Sequence, residues 1–90
     1  MICEHYYISG RVQGVFYRAS TLEVAQALYL TGWVKNLPDG RVEVVACGST
    51  KQLTKLKTWL KEGSPMAKVQ QVEVESIINM PDSTGFEVRY

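Results

Sequence analysis

The chain has 90 residues, of which 46% are hydrophobic and 21% are charged, with ten Lys and Arg against nine Asp and Glu. A chain of this length supports one hydrophobic core, so we expect a single domain over residues 1–90 rather than two domains with a cleft between them. The balanced charge argues against a broad electrostatic field, and we expect no nucleic-acid and no membrane partner.

The first third of the chain predicts a strand, a loop and a helix. Residues 4–12 are rich in Tyr and β-branched residues, which favours a strand. After a glycine-containing loop, an apolar stripe that includes Ala25 and Tyr29 predicts a helix from Arg18 to Thr31. We expect Gly32 to end this helix, because glycine adopts a left-handed conformation without strain.

The rest of the chain predicts a hairpin, a second helix and two further strands. A cap at Ser49 or Thr50 begins a helix that runs to about Glu62, with an apolar stripe of leucines. The hairpin turns at Pro38-Asp39-Gly40, a combination typical of turns. Strands are predicted where apolar residues alternate or where a short run of residues favours a strand. These segments are residues 33–37, 41–47, 69–78 and 86–90.

The predicted element order is β-α-β-β-α-β with an extra short C-terminal strand. This order is the ferredoxin-like arrangement, an α+β sandwich in which two helices cover one face of an antiparallel sheet. The same fold supports enzymes, metal carriers, RNA binders and regulatory domains, so it does not by itself indicate a function.

Residues that bind metals or act as nucleophiles are scarce. The chain has one His and two Cys and no Cys-x-x-Cys pair, so we expect no metal site. Glu73 and Glu75 have strand spacing, and they are better interpreted as a solvated strand face than as a general acid and base. We therefore expect no cofactor, and chemistry that depends on Arg, Asn, backbone amides and water.

The segment from Gly10 to Arg18 connects the first strand to the first helix. A loop at a helix N-terminus presents unpaired N–H groups and the positive end of the helix dipole, and Gly14 allows an anion to approach closely. Arg18 lies in the first helical turn, where the dipole disfavours a cation, and a bound oxyanion would explain its presence. Spacing alone does not distinguish this site from an ordinary connection with a surface arginine.

A second segment, residues 32–48, resembles a known protein family when it is considered together with residues 10–18. Asn36 lies near the end of a predicted strand, and taken alone it is most simply a turn-initiating residue. Yet the patterns G-x-V-Q-G-V-x-Y-R at residues 10–18 and G-W-V-K-N-x3-G-x-V-x5-G at residues 32–48 together resemble both signature segments of the acylphosphatases. The similarity extends over essentially the whole chain.

The resemblance implies hydrolysis of the carboxyl–phosphate bond of small acyl phosphates, without a metal or cofactor. Inorganic phosphate would be both the product and a competitive inhibitor. The family's phosphate-binding arginine falls on Arg18, and its water-orienting asparagine falls on Asn36. The resemblance implies a phosphate-binding loop formed by the backbone of Gln13, Gly14, Val15, Phe16 and Tyr17.

Two other interpretations remain open. A binding domain could use the same loop to grip RNA phosphates, but RNA-binding sheets of this topology need exposed aromatics on strands one and three. Tyr6 and Tyr7 lie on the first strand, whereas Val42 and Val44 give the third strand no stacking residue. The related domain of hydrogenase maturation proteins, which handles carbamoyl phosphate, is normally part of a larger protein, so the short chain argues against it.

Cys3 and Cys47 are expected to be neighbours, because the first strand of this fold lies antiparallel beside the third. They form a possible disulfide or thiol pair, and a reducing cytoplasm favours the thiols.

Cytoplasmic localisation is expected from the sequence. No apolar run approaches the ~20 residues that span a bilayer. The N-terminal residues lack the basic and apolar regions of a signal peptide. We also expect a monomer.

Overall fold

The structure, a computed structural model, describes residues 2–77 and 85–90. Ile78, the predicted end of the fourth strand, lies outside the described residues. The elements are, in chain order, β1 (Ile2–Arg11), α1 (Tyr17–Ala27), β2 (Thr31–Asn36), β3 (Val42–Gly48), α2 (Thr50–Glu62), β4 (Lys68–Ile77) and β5 (Phe86–Arg89). This order confirms the predicted ferredoxin-like fold with an extra C-terminal strand. Neither of these helices is both long enough and apolar enough to cross a membrane.

The five strands form one sheet in the order β4-β1-β3-β2-β5. The first four strands pair antiparallel, as predicted, and β5 joins the outer edge of β2 in parallel. The strand directions are consistent with this pairing, because β4 runs opposite to β2, and β5 runs opposite to β4. This pairing brings the end of β5 close to the end of β2.

The core lies between the two helices and one face of the sheet. Alternate residues of the central strands face the helices, so Tyr6 and Ile8 of β1 and Val42 and Val44 of β3 are fully buried. The predicted apolar stripe of α2 is also buried and consists of Leu53, Leu56 and Leu60. Helix α1 packs over β2 and β5, whereas α2 packs mainly over β4 and β3.

Helix α1 ends at Ala27 rather than at Thr31. The N–H of Tyr29 donates to the carbonyl of Gln26, and the N–H of Leu30 donates to that of Ala25, both at 3.0 Å. These two bonds form a Schellman motif, in which the left-handed position is occupied by Tyr29, with a φ of 58°. The prediction that Tyr29 lies on the buried face is therefore wrong, since this side chain is 86% exposed.

Gly32 does not end α1 but lies inside β2, with a φ of 136°. A Cβ atom at this position would collide with the carbonyl oxygen of Val45 on β3. Gly32 therefore permits the close approach of two neighbouring strands, and the predicted capping role is wrong.

Cys3 of β1 lies directly opposite Cys47 of β3, and a disulfide joins them. Both residues are almost completely buried, at 3% and 2% exposure. The structure thus has the oxidised pair rather than the two thiols that a reducing cytoplasm favours. Cys47 also faces Thr31, the first residue of β2, so the disulfide lies at the end of the sheet away from Asn36.

Candidate active site

A pocket of about 510 Å³ opens where the loop before α1 meets the ends of β2 and β5. Arg18 and Asn36, which belong to different segments of the chain, both line it. The lining residues are Val12, Gly14, Phe16, Tyr17, Arg18, Ala19, Leu22, Asn36, Val88 and Tyr90. Three residues of the predicted loop therefore line the pocket, whereas Gln13 and Val15 are absent from this lining.

The loop before α1 turns through two left-handed residues, Gly14 with a φ of 73° and Phe16 with a φ of 61°. A Cβ atom on Gly14 would meet nothing within 4 Å, so the backbone conformation, rather than space, favours glycine there. Phe16 is the N-cap residue of α1, and no side chain caps this helix end. The first-turn N–H groups thus have no acceptor within the helix and can donate to a bound anion.

Arg18 lies in the first turn of α1 and is half-buried. Its Nη1 donates to the backbone carbonyl of Arg89 at 3.3 Å, and its guanidinium carbon lies 4.8 Å from the centre of the Tyr90 ring. The first turn contains no acidic residue. A guanidinium has five N–H donors, and the bond to Arg89 uses one of them, so the group can also bind an oxyanion in the pocket.

Asn36 is the last residue of β2 and pairs with Val42 of β3. Its Oδ1 atom is buried and accepts no hydrogen bond from the described residues, 2–77 and 85–90. Buried side-chain oxygens are usually satisfied by protein or water. An unpaired carbonyl oxygen on a pocket-lining residue is therefore suited to accept a hydrogen bond from a water molecule.

The Gln13 side chain ties the loop to the β2–β3 hairpin. Its Nε2 donates to the carbonyls of Leu37 at 2.8 Å and Arg41 at 2.9 Å. Leu37 directly follows Asn36, so these two bonds connect the segment that carries Arg18 to the segment that carries Asn36. The sequence assigned Gln13 only a backbone role, and no local pattern indicates the contact of its side chain.

Two further hydrogen bonds anchor the loop to α2 and to the turn that follows it. The carbonyl of Val15 accepts from the hydroxyl of the buried Ser64 at 2.7 Å. Tyr17, which is the first residue of α1 rather than part of the loop, donates through its hydroxyl to the carbonyl of Leu60 at 2.6 Å. Burial raises the pKa of the Tyr17 hydroxyl above its ordinary value, so Tyr17 remains a neutral donor.

Among the described residues that line the pocket, the charged side chain is that of Arg18. In the part of the chain that the structure describes, no group of three or more His, Cys, Asp or Glu side chains is placed to hold a metal ion. The arrangement can therefore bind an anion through Arg18 and backbone amides, and it can orient water through Asn36.

Comparisons with known proteins agree over nearly the whole chain. The model of the acylphosphatase family matches residues 4–88. An acylphosphatase of Rubrobacter xylanophilus is 53% identical over 83 residues, which cover 92% of this chain and 76% of the relative. The crystal structure of the Bacillus subtilis acylphosphatase matches with a TM-score of 0.96 and 36% identity, over 100% of both chains. An acylphosphatase structure from Coxiella burnetii has a TM-score of 0.92 and 49% identity, over 98% of this chain and 92% of its own.

Proposed function

Because the chain belongs to the acylphosphatase family, we propose that it hydrolyses the carboxyl–phosphate bond of small acyl phosphates to a carboxylate and inorganic phosphate. The observation that carries the mechanism is the convergence of Arg18 and Asn36 on one pocket at the N-terminus of α1. Family membership supports the reaction class, and the roles of the two residues are the proposal.

Arg18 and backbone amides bind the phosphate group. The guanidinium donates to the phosphate oxygens as a fork, which matches the spacing of these oxygens. N–H groups of the loop and of the first turn of α1 donate to the remaining oxygens, aided by the helix dipole. The anchors at Gln13, Val15 and Tyr17 support this role because they hold the loop in place before substrate binds.

Asn36 orients the attacking water. Its Oδ1 accepts a hydrogen bond from the water, which then attacks phosphorus in line with the bond to the carboxylate. The unpaired, buried state of Oδ1 supports this role, since a hydrogen bond from the water would compensate a desolvated acceptor.

The substrate itself reduces what the protein must supply. The leaving group is a carboxylate whose conjugate acid has a pKa of about 4, so it leaves without being protonated and needs no general acid. Charge spreads over the oxygens of the transferred phosphoryl group in the transition state, which makes positioning and electrostatic stabilisation the main tasks. Among the described residues, the pocket lining includes no His, Asp or Glu, and we propose that a phosphate oxygen accepts the proton of the water.

Phosphate release tests the proposed function directly. The purified chain, treated with EDTA and assayed without added metal, should release inorganic phosphate from acetyl phosphate and benzoyl phosphate well above the spontaneous rate. Added inorganic phosphate should inhibit competitively. An absence of hydrolysis would contradict this function. Activity that requires Mg²⁺ or Zn²⁺ after chelation would contradict this mechanism.

A further inference from the structure

The pocket that Arg18 and Asn36 line also has apolar side chains in its lining. Phe16 at the N-cap of α1, Leu22 of α1, Val88 of β5 and the following Tyr90 line it. Leu22 and Val88 are partly buried against the core, whereas Phe16 is 76% and Tyr90 is 93% exposed. Side chains from two distant stretches of the chain thus expose apolar surface to one concave site, which distinguishes them from scattered surface residues.

The pocket is larger than a phosphate group requires. Its volume of about 510 Å³ lies within the range of pockets that bind whole small-molecule ligands. If the phosphate is bound by Arg18 and the first turn of α1, the remaining volume lies against the apolar side chains. The acyl part of the substrate is bonded to the phosphate, so this neighbouring volume is within its reach.

The charges of the pocket restrict which acyl groups fit. Among the described residues of the lining, the charged side chain is that of Arg18, and the phosphate uses its charge. A second carboxylate on the acyl group would face Phe16, Leu22 and Val88 without a cation, at the cost of its desolvation. A neutral apolar acyl group would instead bury its own surface against these side chains.

We propose that Phe16, Leu22, Val88 and Tyr90 form a subsite that selects apolar aliphatic or aromatic acyl groups. This subsite rests on the proposed function and deepens it by naming the class of acyl phosphate that is preferred. Phe16 is its specificity-determining residue, because its ring is exposed at the pocket and the described structure gives it no place in the core cluster.

Three substrates test the subsite in the wild-type protein. Pentanoyl phosphate and succinyl phosphate have acyl groups of similar length, but the second ends in a carboxylate, and acetyl phosphate lacks the extension. We expect kcat/KM for pentanoyl phosphate to exceed that for acetyl phosphate about tenfold, which corresponds to partial burial of three methylene or methyl groups. Succinyl phosphate should be at least about tenfold poorer than pentanoyl phosphate, because its carboxylate must be desolvated.

A matched pair of variants locates the effect. Phe16→Ala should reduce the ratio of kcat/KM for pentanoyl over acetyl phosphate to about twofold or less, since most of the apolar contact is lost. Tyr29→Ala is the control, because Tyr29 is also an exposed aromatic residue with a positive φ, of 58° against 61° for Phe16, and it does not line the pocket. It should leave the ratio unchanged. Because the readout is a ratio, an overall loss of activity in Phe16→Ala does not affect it.

The outcomes separate the subsite from the function. Hydrolysis of none of the three substrates would contradict the proposed function. Hydrolysis of all three with kcat/KM values within about twofold would overturn the subsite and leave the function intact. A selective wild-type protein whose ratio is unchanged in Phe16→Ala would overturn the assignment to Phe16.

Discussion

Three contacts of Arg18 have different consequences: the proposed contact with the phosphate, and the contacts in the structure with the carbonyl of Arg89 and the ring of Tyr90. The last two are exposed contacts at the surface, so the fold should tolerate their loss. We expect Arg18→Ala to lower kcat/KM by about a hundredfold or more, equivalent to ~3 kcal/mol of lost transition-state stabilisation. The variant should also lose inhibition by inorganic phosphate, which steady-state kinetics can measure.

Arg11 provides the control for this loss of charge. It is exposed at the end of β1 and does not line the pocket, so Arg11→Ala removes the same charge near the same loop. If Arg11→Ala reduced activity and phosphate inhibition as much as Arg18→Ala, the effect would be one of general charge and not of a specific contact.

Asn36→Ala should have a different kinetic signature. Asn36 is proposed to contact the water and not the phosphate, so kcat should fall while inhibition by inorganic phosphate remains nearly unchanged. The Oδ1 atom has no hydrogen bond within the described residues to lose, and the unfolding temperature should therefore stay close to that of the wild type. Near-normal kcat, or loss of phosphate inhibition as severe as in Arg18→Ala, would contradict the division of roles.

Gln13→Glu tests whether the link between loop and hairpin positions the site. The change preserves the shape of the side chain, but a carboxylate would face the carbonyls of Leu37 and Arg41 and could donate to neither. We expect stability to fall by about 2 kcal/mol or more, and kcat to fall because the segments of Arg18 and Asn36 are no longer held together.

The activity of Gln13→Glu at lower pH provides an internal control for this prediction. As the pH falls toward the ordinary carboxyl range near ~4, protonation restores one donor at position 13, and kcat relative to the wild type should rise. A purely structural defect would leave this relative kcat unchanged or reduce it further at low pH.

At the scale of secondary-structure elements, the disulfide between Cys3 and Cys47 joins β1 to β3 across a separation of 44 residues. In the chain-entropy model a loop of this length corresponds to roughly 4 kcal/mol of stability. We expect the double variant Cys3→Ala/Cys47→Ala to lose about this amount in denaturant unfolding, with kcat unchanged because the pair lies at the opposite end of β2 from Asn36.

Reductant provides the complementary comparison. It should lower the stability of the wild type toward that of the double variant and leave the double variant unaffected. Mass spectrometry of the purified chain under both conditions reports the oxidation state. Equal stability of the oxidised and reduced wild type would show that the pair contributes little to the fold.

The elements that could be predicted from sequence are those with local signals. The start of α2 follows from Ser49, which accepts from the N–H of Gln52 and forms a capping box with it. The end of α1 could not be predicted, because apolar residues continue past it and the left-handed position is occupied by Tyr29, which rarely adopts this conformation.

The residues of the candidate site also fall into two groups, those that the sequence indicates and those that it does not. Arg18 and Asn36 could be selected because each lies in a motif that resembles a signature segment of the acylphosphatases. The Gln13, Val15 and Tyr17 anchors could not, because their partners lie 24 to 49 residues away in the chain. Such contacts depend on how α2 and the hairpin pack beside the loop, and this packing is a property of the assembled fold.

At the scale of the whole molecule, pH should affect stability only toward the extremes. Burial raises the pKa of Tyr6 and Tyr17 above the ordinary value of 10.0. Their neutral forms are therefore favoured in the folded state, and their contribution to stability is complete below pH 10 and is lost as the pH rises through the folded pKa.

Hydrogen bonds from the backbone and side chain of Arg41 lower the pKa of Asp39 below 3.8, so its contribution is present above that value and is lost as the pH falls through the folded pKa.

Activity should follow this plateau. The proposed mechanism assigns no proton transfer to a protein side chain, so kcat/KM should vary little between roughly pH 5 and 8. Thermal unfolding and acyl phosphate hydrolysis, measured across the same buffers, check both expectations. A bell-shaped activity profile centred in this window would indicate a titrating catalytic group and contradict the mechanism.

The position of β1 in the sheet has a consequence for folding. Cys3 lies opposite Cys47 on one side and Ile77 on the other, so the strand that is synthesised first is completed by partners that are synthesised much later. A nascent chain that ends before β4 would leave one edge of this central strand unpaired. Because non-local pairing of this kind slows folding, we expect the four antiparallel strands to assemble only after β4 has left the ribosome, and the pocket only after β5 and Tyr90 have followed.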